Sequence, residues 1–268
     1  MNTNSKITLL GTVSDIKVLN NNRTAAGIIL DVDNNQILID PGVGTIVRSD
    51  NAKIELKNIN VILSSSSDTI YTNDINAVIE HTNKDIHLIC SKELIKHDES
   101  ILTSKHAKNL KIVTVEEEKQ TSIRGIDIQA INNKVGISYK INTSKFVLGY
   151  ITKAKYSKSF VEWFKDANIL IINTTLSKPE KNSSYLDIEE ITELIREVSP
   201  ELVILNGFSE KTIKADPLDI SRKIKQELQK NKQVITKTQI LPAKELMTIN
   251  PEAYNIRLKQ KNLNGFFN

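Results

Sequence analysis

VILSSSSDTIYTNDINAVIE, residues 61–80, decides how the rest of the chain is read. Val61, Ile62 and Leu63 stop abruptly at four serines. Asn73 and Asp74 then open a segment with Ile75, Val78 and Ile79 at helical spacing. A short apolar run bounded by turn formers reads as a buried strand. An Asn or Asp ahead of an i, i+3, i+4 apolar pattern reads as a helix start. The stretch therefore predicts a strand, a polar loop and a helix over 74–81. None of the four histidines, His81, His87, His97 and His106, lies in residues 1–80.

Working outward, the first third reads as short strands and turns. Strands are expected at 7–10, 27–32, 36–39, 60–63 and 86–90. Asp33-Asn34-Asn35 forms a hairpin connector, and Asp40-Pro41-Gly42-Val43-Gly44 punctuates a strand end. The middle is β-rich, with strands at 110–115, 125–131, 136–141 and 146–150. The last third alternates helices (157–166, 188–198, 218–230) with strands (169–172, 202–205, 233–236). Ile188, Ile191, Leu194 and Ile195 give the second helix its apolar face. Each half runs from strands into strand–helix alternation, which predicts two sheets packed face to face with helices outside. No Pro/Gly/Ser-rich linker divides the chain. One domain is expected over 1–241, with an extension over 242–268 that either closes the core or docks on a partner.

The 268 residues are 39% hydrophobic and 25% charged, ordinary for a globular protein. A chain of this length buries about three quarters of its unfolded surface and needs no covalent staples. Cys90 is the single cysteine, so no intrachain disulfide forms, and its apolar run (86–90) marks it as a buried thiol. The N-terminal residues do not have the pattern of a signal peptide, and no apolar stretch approaches the ~20 residues of a membrane span. A cytoplasmic location without membrane contact is expected. The net charge of +4 permits an RNA partner without requiring one. Phosphate-binding loops, dinucleotide fingerprints, nucleophile elbows and Cys-x-x-Cys pairs are all absent from the sequence.

Seven segments, ITLLGT (7–12), RTAAGIIL (23–30), ILIDPGVG (37–44), DINAVIE (74–80), LGYITKAKY (148–156), DANILIINTT (166–175) and SPELVILNGF (199–208), carry a family likeness. Their order and spacing resemble metallo-β-lactamase-fold hydrolases, archaeal members in particular, over about residues 6–240. The resemblance implies an α/β fold, an αββα sandwich of two mixed β-sheets flanked by helices. It also implies a metal centre built from an HxHxDH motif after the fourth strand, later histidines and an Asp in a YxxD turn.

Carried onto this chain, the HxHxDH positions fall on Ser66, Asp68, Ile70 and Tyr71. A shift of one position recovers no histidine. The turn Asp falls on Lys153, the histidine before the 188–198 helix near Tyr185, and the last histidine on Gly207. The middle histidine falls near Asn132 or Asn133. Zinc needs N, S or O ligands and an open position for water. Ile70 cannot coordinate, Gly207 has no side chain, and Lys153 puts a cation where the metal's charge belongs. No catalytic residue, metal or other cofactor is therefore expected. Asp40, Gly42 and Asp74 remain as scaffold residues, and the histidines read as surface or structural.

The expectation is a pseudoenzyme that serves as a binding or structural component of a larger assembly. Its expected partner is a protein or a ribonucleoprotein such as the ribosome. Arg257, Lys259, Lys261, Phe266 and Phe267 are the candidate contacts, able to engage RNA by charge and stacking. The ribonucleoprotein rests on fold analogy alone, and self-association is a further partner class. The alternative is a divergent hydrolase whose site has been relocated or depends on magnesium, using Asp40, Asp68 and Asp74.

Overall fold

The computed structural model describes residues 5–82, 85–95, 101–108, 110–115, 119–132, 135–176, 183–230 and 237–254. The first half contributes strands β1 (Lys6–Leu9), β2 (Ile28–Val32), β3 (Asn35–Ile39), β4 (Val61–Leu63), β5 (Ile86–Cys90) and β6 (Leu110–Thr114). The second contributes β7 (Lys119–Ile123), β8 (Ile126–Asn132), β9 (Ile137–Asn142), β10 (Val147–Ile151), β11 (Ile169–Asn173), β12 (Leu202–Asn206) and β13 (Gln239–Pro242). A last strand, β14 (Met247–Ile249), returns to the first half. The result is two seven-stranded mixed sheets, ordered β14-β1-β2-β3-β4-β5-β6 and β13-β12-β11-β10-β9-β8-β7.

Period-two alternation explains the sandwich. Along β2 to β4, Ile28, Leu30, Ile37, Ile39, Val61 and Leu63 face the core between the sheets. Ile29, Leu38 and Ile62 face a second cluster on the outer side of the first sheet. Helices α1 (Thr45–Asn51), α2 (Thr69–Thr72), α3 (Ile75–His81) and α4 (Ser104–Ala107) follow the first-half strands. The outer cluster includes Ile75, Val78 and Ile79 of α3, so the apolar stripe read from 74–81 is the one that packs. Helices α5 (Lys158–Trp163), α6 (Ile188–Val198), α7 (Glu210–Lys214) and α8 (Pro217–Lys230) follow β10 to β12. Strands β11 and β12 are buried along their whole length, which is why their sequences are aliphatic up to the closing Asn173 and Asn206. Asp187 and Glu190 form a capping box at the start of α6.

The β2–β3 hairpin turns on Asp33 and Asn34, both at positive φ (48° and 60°), the signature of a two-residue type I′ turn. Two placements differ from the sequence reading, and a third expectation falls outside the described residues. Strand β7, KQTSI, escaped notice because it is a polar edge strand paired only with β8. The strand expected at 233–236 lies outside the described residues, while β13 forms at Gln239–Pro242, parallel to β12. The boundary expected at 241/242 cuts through β13. Residues up to 254 are woven into the fold, since β14 pairs antiparallel with β1 (Ile7 opposite Ile249). The candidate contacts Arg257, Lys259, Lys261, Phe266 and Phe267 lie outside the described residues. Among the described residues, no helix is long and apolar enough to cross a membrane.

Candidate functional site

The serine loop after β4 is held from both sheets. Ser64 N donates to Ile89 O (2.9 Å), and Ile137 N donates to Ser65 O (2.9 Å). The buried Tyr139 hydroxyl lies 2.7 Å from Ser64 O and 3.1 Å from Ile89 O. At the centre is Asp40, itself buried and at φ 51°. Its carboxylate accepts from Ser65 N (2.7 Å), Ser65 Oγ (2.6 Å) and Tyr150 OH (2.6 Å). Burial raises its pKa to about 6, outweighing the hydrogen bonds from Ser65 and Tyr150 that favour the charged form. The hydroxyl protons of Tyr71, Tyr139 and Tyr150 are likewise held well above the ordinary tyrosine range by burial. Gly42 supplies close approach, because a Cβ there would sit 2.2 Å from Ile70 O and 2.3 Å from Ala25 O.

Several positions singled out in the sequence meet here. Lys153 forms an ion pair with Asp68, bridging the end of β10 to the serine loop. Its ammonium also lies 5.9 Å from the centroid of the Tyr185 ring. Tyr71 is buried; its hydroxyl accepts from Asn173 Nδ2 (3.3 Å), and interaction with Tyr185 favours its neutral form. Gly207 adopts φ 58°, and a Cβ would meet Asn173 Oδ1 at 2.4 Å, so only glycine fits. Ser66 Oγ accepts from Asp68 N (3.1 Å) as part of a local turn, and Ile70 is half-buried. Asp74 accepts from Gly44 N (3.1 Å) and Ile46 N (3.3 Å), so it caps the start of α1 from the neighbouring helix.

These donors do not fit a dinuclear zinc centre. Around the loop they are hydroxyls, amides, the Asp40 and Asp68 carboxylates and lysine ammoniums. Among the described residues, no three His, Cys, Asp or Glu side chains are grouped to hold a metal ion. Each of the three carboxylates considered for magnesium is committed elsewhere: Asp40 to Ser65 and Tyr150, Asp68 to Lys153, Asp74 to α1. His81, His87 and His106 sit on three different elements, and His97 lies outside the described residues. His106 bonds Asn76 Oδ1 (2.8 Å) and Glu80 Oε1 (2.7 Å), a structural role.

Beside the loop is an open cleft of about 640 Å³, lined by Ser65, Ser66, Ser67, Lys92, Glu93 and Asn132, among others. Asn132, one of the positions named for the middle histidine, therefore faces the cleft, while Asn133 lies outside the described residues. Sequence reasoning missed Ser65, Tyr150, Asn173 and Asn206. Asn173 and Asn206 carried one available signal, since each is a polar residue closing an otherwise aliphatic strand.

Residues 35–208 match the family model of the beta-lactamase superfamily domain. An uncharacterized protein of Methanocaldococcus jannaschii is 23% identical over 204 residues, covering 70% of this chain and 77% of that relative. The metallo-beta-lactamase fold protein YhfI from Bacillus subtilis aligns with a TM-score of 0.73 at 13% identity, over 92% of this chain and 99% of that one. The short form of human tRNase Z aligns at 0.66 and 12% identity, over 91% and 98%. Shared sheets, shared helices and a family match through the serine loop, Lys153 and Gly207 lead to one conclusion: the chain belongs to the beta-lactamase superfamily and has the metallo-β-lactamase fold.

Proposed function

We propose that this chain is a metallo-β-lactamase-fold protein that no longer performs metal-dependent hydrolysis and acts as a binding or structural component of a larger assembly. The observation that carries this reading is the Lys153–Asp68 ion pair beneath Tyr185. A lysine ammonium paired with a carboxylate of the serine loop repels a divalent cation and engages the carboxylate such a cation would use. The cleft beside the serine loop and the 255–268 segment with Arg257, Lys259, Lys261, Phe266 and Phe267 are the proposed contact regions. The partner is a protein or a ribonucleoprotein such as the ribosome. One fold neighbour is named as a tRNase, and the net charge of +4 is compatible with RNA.

Metal analysis of the purified protein, with zinc and magnesium titrations, tests the reading. Zinc well below stoichiometric amounts, and no hydrolysis of phosphodiester or ester substrates, is the expected result. Stoichiometric zinc, or a hydrolytic activity abolished by Asp68→Ala, would make the protein a hydrolase with a relocated or magnesium-dependent site instead. Affinity capture from the native cell identifies the partner, and RNase treatment of the captured material separates a protein contact from an RNA contact.

A further inference from the structure

A second, much smaller cavity lies where β11 and β12 end. Asp40, Tyr71, Tyr150, Asn173, Asn206 and Gly207 are among its walls, and it encloses about 20 Å³. That is room for one species the size of a water molecule. Asn173 and Asn206 are register partners on adjacent parallel strands, so their side chains leave the sheet on the same side. They are only 2% and 6% exposed. The carboxamide oxygen of each has no hydrogen-bond partner.

Native proteins rarely leave a buried acceptor unmet, and here two of them line one cavity. Asn173 Nδ2 already donates to Tyr71 OH, which leaves Oδ1 as the atom lacking a partner. Gly207 keeps that oxygen accessible, since any side chain there would collide with it. Tyr150 directs its proton to Asp40. Asp40 is bonded by Ser65 and Tyr150, both neutral, so its buried charge has no cation among its hydrogen-bond partners. The cavity thus presents two free amide oxygens beside a carboxylate. Such an oxygen set suits a hard cation. Magnesium would bring waters for which there is no room, and zinc prefers nitrogen or sulfur ligands.

We propose that this cavity is a binding site for one monovalent cation of potassium or ammonium size, held by Asn173 Oδ1 and Asn206 Oδ1 and balanced by Asp40. The ion would join the β3–β4 side of the first sheet to the β11–β12 ends of the second. The proposal is independent of whether the larger cleft binds a partner.

The full chain, stripped of alkali ions, is unfolded in choline, sodium, potassium and ammonium chlorides at equal ionic strength. A site of this kind gives a saturable stabilisation in potassium or ammonium but not in choline. At ten times the dissociation constant the unfolding equilibrium constant falls about tenfold. Comparing the two salts decides which ion is preferred. Asn206→Ala is expected to remove the ion dependence, whatever its effect on absolute stability. Crystals of the unaltered protein soaked in thallium or rubidium provide a second readout, with an anomalous peak expected between Asn173 and Asn206. Equal stability in choline and potassium with no peak in the cavity would overturn the proposal and assign the space to a water. An ion dependence that survives in Asn206→Ala would overturn it as well.

Discussion

Asp40 shows how one buried carboxylate can organise a loop and still oppose folding. Its three hydrogen bonds fix Ser65 and Tyr150, yet burial lifts its pKa from the ordinary 3.8 to about 6. The folded state therefore holds a proton on Asp40 at pH values where the unfolded chain has released it. Asp40's contribution to stability is most favourable below about pH 4 and is lost as pH rises through about 6, by roughly 3 kcal/mol at 1.36 kcal/mol per pKa unit. Glu80, with its pKa lowered to about 2 by Lys105 and His106, works in the opposite direction. The Asp40 part is isolated by subtracting the stability–pH profile of Asp40→Asn from that of the unaltered protein. The difference should decline between pH 4 and 6, and a flat difference would remove the burial argument. Asp40 could be picked out in the sequence as part of a DPG turn, but its partners could not. Ser65 lies 25 residues away and Tyr150 lies 110 away, and no local spacing links them.

At the scale of elements, the segment after β13 carries more than its composition suggests. Glu245 accepts from Thr12 N (3.0 Å) and Oγ1 (2.8 Å) with one oxygen, which also accepts from Thr24 N (3.1 Å). The other oxygen accepts from Thr24 Oγ1 (3.1 Å) and pairs with Arg48 Nε (3.6 Å). The Arg48 and Glu245 side chains are 12% and 15% exposed, so solvent screens this clasp only weakly. Glu245→Ala leaves buried donors unmet and is expected to cost about 2–4 kcal/mol, read as a shift in denaturation midpoint at unchanged slope. A loss under about 0.5 kcal/mol would show that water replaces the carboxylate freely. The β2–β3 hairpin was legible because Asp33 and Asn34 are residues that tolerate positive φ. Strand β14 was not, because three residues in a polar setting become a strand only when β1 lies beside them.

Over the whole molecule, the two sheets are fastened at both ends by contacts distant in sequence. Near the termini, Glu252 accepts from Ser5 N (2.8 Å) and from Lys145 Nζ (2.7 Å), linking both halves. At the opposite end, Lys153 reaches Asp68 and Tyr139 reaches Ser64 and Ile89. A chain ending at Tyr254 is therefore expected to keep cooperative unfolding and the stability of the full protein. A chain ending at Pro242 loses β14, Glu245 and Glu252 and is expected to be several kcal/mol less stable by chemical denaturation. Loss of partner capture in the first of these, with stability intact, would assign the contact to residues 255–268. Retained capture would move it to the cleft. The sequence by itself determined the two-sheet architecture, the apolar stripe of α3, the apolar face of α6 and the lack of histidines in residues 1–80. All of these follow from side-chain period, turn chemistry and residue identity within a few positions. Only the tertiary structure decided that Asp68 meets Lys153, that two asparagine oxygens share a cavity, and that the chain after β13 closes the first sheet. Those pairings join residues many positions apart, and sheet packing rather than local preference brings them together.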